Sequence, residues 1–136
     1  MQRLIWQTAA FLAVLLAAAA AASRSERAVL KADIPFPFVV ANHTLPAGHY
    51  EVSTLGEQII RIANAHKQGA FAMTSKVEGH FHERSGKLVF YLYRDTYFLA
   101  QVWDPAKGTG KQLYKSRAEE ELESKGIRKE IAVFSS

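Results

Sequence analysis

The sequence predicts a mainly β protein, an antiparallel β-sandwich or small β-barrel with one short helix in its C-terminal half, preceded by a signal peptide. Three observations predict it. Short apolar runs rich in β-branched and aromatic residues recur at regular spacing between turn residues. Only the stretch from Tyr114 to Leu122 changes from a period of two to a repeat at every fourth residue. The first 22 residues are built unlike the rest.

Those first residues have the parts of an export signal. Arg3 supplies positive charge, Ala9 to Ala22 is uncharged and apolar, and Ala20-Ala21-Ala22 offers the small side chains that signal peptidase accepts. Cleavage is expected after Ala22 or Ser23. Residues 1–22 are thus a signal peptide and residues 23–136 a single β-rich domain, periplasmic or secreted. Leu4 to Ala22 also lacks formal charge, and its length approaches the roughly 20 residues that span a bilayer. Alanine is only weakly apolar, which favours cleavage over a retained anchor, and after cleavage no stable membrane span is expected. The chain contains no cysteine, so neither a lipidated cysteine nor a disulfide is available. The domain must rest on its hydrophobic core, to which Phe36, Phe38, Tyr50, Phe71, Phe81, Phe90, Tyr91, Tyr93, Tyr97, Phe98, Trp103, Tyr114 and Phe134 are the aromatic supply.

Along the chain, Val29 to Val40 reads as extended, with Pro35 and Pro37 marking a sheet edge or bend. Asn42 to Gly48 reads as a turn. Tyr50, Val52 and Thr54 alternate with polar neighbours as in a half-buried strand. Gln58 to Ala63 and Ala70 to Val77 are two more strands, and Glu78 to Gly86 a loop. Lys87 to Tyr93 and Thr96 to Trp103 flank Arg94-Asp95 as the arms of a hairpin. Leu88, Phe90 and Leu92 share one face with Tyr97 and Leu99, while Val89, Tyr91 and Tyr93 share the other with Phe98 and Val102. Both faces are apolar, so both must be covered, or one must face a ligand or partner. Asp104 to Gly110 reads as a flexible loop. Ser116 with Glu119 matches a capping box, which starts a helix ending near Lys125 with Gly126 as its stop. Tyr114, Ala118 and Leu122 form its apolar stripe, set to cover the hairpin. Ile127, Ile131 and Val133 form a closing strand.

Several stretches of the mature chain carry a resemblance: Pro35-Phe36-Pro37-Phe38-Val39-Val40, Leu45-Pro46-Ala47-Gly48-His49-Tyr50, Gly86-Lys87-Leu88-Val89-Phe90, Tyr97-Phe98-Leu99 with Gln101-Val102-Trp103, and Ser116-Arg117-Ala118-Glu119. Through them the segment from Ile34 to about Leu122 resembles a family of short secreted β-rich proteins common in acidobacteria. Where that family often carries an acidic residue, this chain has Pro37. The family has no assigned activity. The resemblance implies a bacterial, exported, β-rich domain and no mechanism.

Candidate chemistry is sparse. His80 and His82, two apart on a strand, point the same way and could share a metal ion with Glu78 or Glu83; the bland alternative is a polar loop with Phe81 turned inward. His43, His49 and His66 stand at no ligand spacing. Ser53, Ser75, Ser85 and Ser116 lack any nucleophile frame. Asp33, Glu51, Asp95 and Asp104 are the carboxylates available for acid–base work. Glu119, Glu120, Glu121 and Glu123 read as a solvated helix face near the positive end of the helix dipole. Asn42-His43-Thr44 fits a glycosylation triplet and, in a bacterium, reads as a turn. Tyr91, Tyr93, Tyr97 and Trp103 line either a sugar-binding or apolar surface, or simply the core. The net charge of +4, or +3 once Arg3 departs with the signal, is mild, and its lysines and arginines are scattered, so no nucleic-acid partner is expected. The expected function is a non-enzymatic binding or structural module of the cell envelope, without cofactor, which meets an envelope protein or surface ligand or associates with itself. A carrier of small apolar ligands is the alternative, and a metal-dependent enzyme using His80 and His82 the third.

Overall fold

A computed structural model describes residues 26–79, 85–106 and 108–136. The signal segment and the His80-Phe81-His82 stretch, with Glu83, lie outside the described residues. Ten strands and one helix follow in order: β1 (Glu26–Ile34), β2 (Phe38–Val40), β3 (His43–Leu45), β4 (Gly48–Leu55), β5 (Ile59–Asn64), β6 (Gly69–Val77), β7 (Lys87–Tyr93), β8 (Thr96–Asp104), β9 (Thr109–Leu113), α1 (Arg117–Lys125) and β10 (Arg128–Phe134). The mainly β fold with one short helix is the one the sequence predicts.

The sheet runs β1–β4–β5–β6–β9–β8. Strand β8 then carries β7 on one edge, with β10 beyond it, and the short β2–β3 hairpin on the other. All ladders are antiparallel except the single parallel bridge of Val39 to Phe98. The corner is β6, whose first half pairs with β5 and whose second half, from Thr74, pairs with β9. A strand that changes partners in this way folds one sheet over itself and encloses a core between the two layers. The ends meet but do not close: the Ser136 amide donates to Lys31 O at 3.0 Å, with no ladder between β10 and β1. The arrangement is a β-sandwich rather than a closed barrel.

Between the layers, Phe38 meets Tyr50 and Phe90 edge-on at centroid distances of 5.1 and 5.5 Å. Such pairs add about 0.5–1.5 kcal/mol each beyond area burial. Ala32, Val52, Ile60, Ile62 and Leu88 complete this layer with no exposure. The Pro35-Phe36-Pro37 link is a bend, and it lays Phe36 flat on Tyr97 with ring centroids 3.7 Å apart.

Four local readings change. The predicted turn from Asn42 to Gly48 contains β3, because Ala41 and Asn42, at φ 47° and 69°, form the two-residue turn of a β2–β3 hairpin. The predicted loop from Asp104 to Gly110 shortens, since β9 starts at Thr109. Gly110 is a strand glycine there: a Cβ on it would lie 2.8 Å from the Trp103 ring, so its bare backbone seats the indole. Helix α1 begins as the capping box requires, with Ser116 Oγ accepting from the Glu119 amide at 3.2 Å. Gly126, however, is extended at φ −173°, so the chain leaves the helix directly for β10 without a left-handed stop. Ile127, read as part of the closing strand, precedes β10 and is 92% exposed.

Candidate functional site

Two surfaces of the sandwich carry outward-facing apolar residues, and they have opposite fates. The first is the outer face of the β7–β8 hairpin. Val89, Tyr91, Tyr93, Phe98, Ala100 and Trp103 form a second buried cluster there, separate from the core between the layers. Val102, expected on this face, lies in the inner core instead. The cause is a bulge: Val89 pairs with Gln101 but Phe90 with Leu99, so Ala100 is an extra residue. The bulge reverses the alternation after Ala100, turning Val102 inward and Trp103 outward. The Trp103 indole N–H then donates to Gln101 Oε1 at 3.0 Å.

Helix α1 covers this cluster by a face the sequence reading did not choose. Ala118 and Tyr114 are exposed, Leu122 is half-buried against the cluster, and Glu119 is the one buried helix residue. The Tyr93 hydroxyl donates to Glu119 Oε2 at 2.9 Å. The solvated-face reading of the acidic run therefore fails at Glu119, while Glu120, Glu121 and Glu123 remain exposed. Burial pushes the Glu119 carboxyl up, with the Tyr93 hydrogen bond and Lys115 opposing it. Burial, followed by the adjoining Glu119, likewise pushes the Tyr93 hydroxyl up. At the helix edge Lys115 pairs with Glu123, whose carboxyl is held low chiefly by that bond. Arg128 stacks over the Tyr91 ring, 4.0 Å from its centroid. Tyr93 is thus covered by the helix, Tyr91 by Arg128, and Trp103 by the bare backbone of Gly79 and Gly110.

The second surface is the outer face of β5 and β6. Here the alternation is clear but its sizes are inverted. Ala70, Ala72 and Thr74 point into the sandwich, while Phe71 and Met73 are 58% and 60% exposed. Ile59, 38% exposed, stands opposite Met73, and Arg61 stands opposite Phe71. The Tyr114 amide donates to Met73 O, which sets the 65% exposed Tyr114 beside them. Phe71, Tyr114 and Phe134 were counted in the aromatic core supply, and all three are exposed. The signal that could have found the patch was the run of small residues at the inward positions of β6.

Where β6 leaves β5 for β9, a cleft of about 410 Å³ opens beside Tyr114, lined also by Gln58, Thr74, Lys76, Thr109 and Lys111. Lys111 Nζ donates to the Glu57 carbonyl across it. Thr74 is buried, and its hydroxyl bonds no protein atom.

The other sequence candidates stay apart. His80 and His82 lie outside the described residues, and among the described residues no three metal-binding side chains come together. Asp33 and His49 face each other across β1 and β4, with Oδ1 to Nδ1 at 2.6 Å, both exposed. Glu51 lines a shallow depression of about 270 Å³ with Lys31, His49 and Arg61 on the same face. Asp95 sits in the β7–β8 turn, and Asp104 ends β8, where its Oδ1 accepts from the Ala106 amide. Ser53 is buried in β4, Ser75 lines the cleft and Ser116 caps α1. His43 is in β3, and the His66 amide donates to Asn64 Oδ1 in the β5–β6 turn. Among the described residues no helix is long and apolar enough to cross a membrane. Comparison with protein-family models, with curated proteins and with solved structures matched nothing.

Proposed function

We propose that this chain is an exported, non-enzymatic binding module of the bacterial cell envelope, and that the outer face of β5 and β6 is its contact surface. The observation that carries the reading is the patch of Ile59, Phe71, Met73 and Tyr114, adjacent across the sheet and open to solvent. Large apolar side chains gathered on one exposed face mark contact surfaces, because scattered singly they carry no such meaning. The signal-like segment, Met1 to Ala22, and the family resemblance support export. The carrier alternative draws less support, since Tyr91, Tyr93 and Trp103 are buried in the outer cluster of the β7–β8 hairpin and the interior is filled by Phe38, Tyr50 and Phe90.

The test uses the mature chain, from Ser23 onward, sedimented with envelopes isolated from the producing bacterium. The wild type is expected in the pellet, and the Phe71→Ser, Met73→Ser double variant in the supernatant. Equal partition of the two, or a wild type that stays in the supernatant, defeats the proposal.

A further inference from the structure

Behind the exposed apolar face lies a different surface. Alternation along β6 and β9 turns Thr74, Lys76 and Lys111 inward, to the side of Val102 and away from Phe71 and Met73. At the open corner of the sandwich these three line the cleft of about 410 Å³ together with Glu57, Gln58 and Tyr114. Its volume falls in the range of small-molecule sites, about 300–1,000 Å³. The fold leaves two of its features unsatisfied. Lys76 and Lys111 are direct partners in the β6–β9 ladder, and like charges set opposite each other destabilise a sheet. Thr74 is 2% exposed, and its hydroxyl bonds no protein atom among the described residues, where buried hydroxyls are ordinarily bonded. Acid is present as well. Glu57 lines the cleft, its carbonyl accepts from Lys111 Nζ, and Glu78 comes to 4.0 Å from Lys76. The walls thus combine ammonium donors, a carboxylate acceptor and the Gln58 amide, which does both, with the exposed Tyr114 ring at the lip.

Such walls suit neither an apolar guest, which would strip water from two ammoniums, nor a bare anion, which would meet Glu57. A saccharide answers them. Each sugar hydroxyl both donates and accepts, and the C–H face of the ring lies well on an aromatic side chain. A carboxylate on that sugar would sit between the two lysines and relieve their repulsion. We infer that the cleft binds an acidic saccharide, with its carboxylate between Lys76 and Lys111, its hydroxyls toward Glu57, Gln58 and Thr74, and its ring against Tyr114. The site goes beyond the outer face of β5 and β6 proposed as the contact surface. Tyr114 borders both, and neither requires the other.

Amide chemical-shift titration of the mature chain tests it, with glucuronate and galacturonate each set beside its neutral parent, glucose or galactose. Either acid is expected to shift the Thr74, Lys76 and Lys111 amides saturably. It should bind about fivefold or more tighter than its parent, the scale of two exposed charge contacts. Raised salt should narrow that gap, because exposed charges are screened. Lys76→Gln and Lys111→Gln should each cost the acids about two- to fivefold and leave the neutral sugars unchanged. Tyr114→Ala should weaken acid and parent by the same factor. Phe71→Ser with Met73→Ser, which tests the outer face, should bind the acids as the wild type does. The comparison of acid with parent uses the wild type alone, so it decides even where a lysine variant fails to fold.

Three results overturn the inference. No saturable shift at the cleft with either acid refutes the site. Equal binding of acid and parent removes the carboxylate from between the lysines. Acetate that binds as tightly as the sugar acids reduces the cleft to an anion site without saccharide recognition. Absent shifts with envelope sedimentation intact refute the saccharide site alone, and shifts without sedimentation refute the contact face alone.

Discussion

The β7–β8 hairpin and the β5–β6 hairpin both display aromatic or large apolar residues on the outside of the sandwich, yet only one is covered. Outside β7–β8, Tyr91, Tyr93, Phe98 and Trp103 form a buried cluster, with Leu122 of α1 packed against it. Outside β5–β6, Phe71 and Met73 stay open. Composition does not separate these two surfaces. What separates them is the Tyr93 hydroxyl, which donates to Glu119 and Glu123, together with Leu122; these hold the helix over one hairpin. An outward aromatic is core where an element is anchored above it and stays open to solvent where none is.

The comparison breaks most sharply at two phenylalanines. Phe90→Ala should destabilise by about 3–5 kcal/mol, because Phe90 fills the space between the layers with no exposure. Phe71→Ala should move stability by less than about 0.5 kcal/mol, measured alongside it by urea unfolding. Equal costs would mean that the β5–β6 face is packed in solution. Gly110→Val should cost about 1–3 kcal/mol, since any side chain there collides with the Trp103 ring, and near-ultraviolet circular dichroism should lose part of its tryptophan signal.

Tyr93→Phe should cost about 1–3 kcal/mol by leaving the Glu119 carboxyl buried without its donor. A cost no larger than a surface change would mean that α1 is not held through Glu119. The pH dependence follows the same contact. Burial raises the Glu119 carboxyl in the folded state above its ordinary value, so between the two values the folded protein holds the extra proton. That contribution to stability is full below the ordinary value and is lost as pH rises through the raised one. The urea midpoint should therefore decline across that window, and Glu119→Gln should flatten the decline. The opposite slope would show that Glu119 is charged and paired when folded.

One expected effect is a gain. Arg94 holds a left-handed φ of 56° in the β7–β8 turn, where glycine carries no steric penalty. Arg94→Gly should stabilise the hairpin by up to about 1 kcal/mol, read as a higher urea midpoint with an unchanged slope. A loss would mean that the Arg94 side chain contributes more than its backbone costs.

By itself the sequence determined the elements whose signals are local. Period-two alternation marked β4, short apolar runs between turn residues marked β5, β6, β7 and β8, the Arg94-Asp95 junction marked the hairpin, and Ser116 with Glu119 marked the start of α1. These depend on neighbours in the chain, so the chain displays them. The two apolar faces of the β7–β8 hairpin were legible for the same reason. Tertiary structure decided what lies on top of each face. The bulge at Ala100 exchanged the sides of Val102 and Trp103, and no residue in β8 announces it, because its cause is the register against β7. Strand β9 was hidden by its glycines, which look like a loop until Trp103 is placed over Gly110. Glu119 looked solvated because a carboxylate's burial depends on a donor 26 residues away in the chain. The candidate site was the least legible part, since Phe71 and Met73 differ from core residues only in being exposed, with nothing packed above them among the described residues, and that is a property of the fold alone.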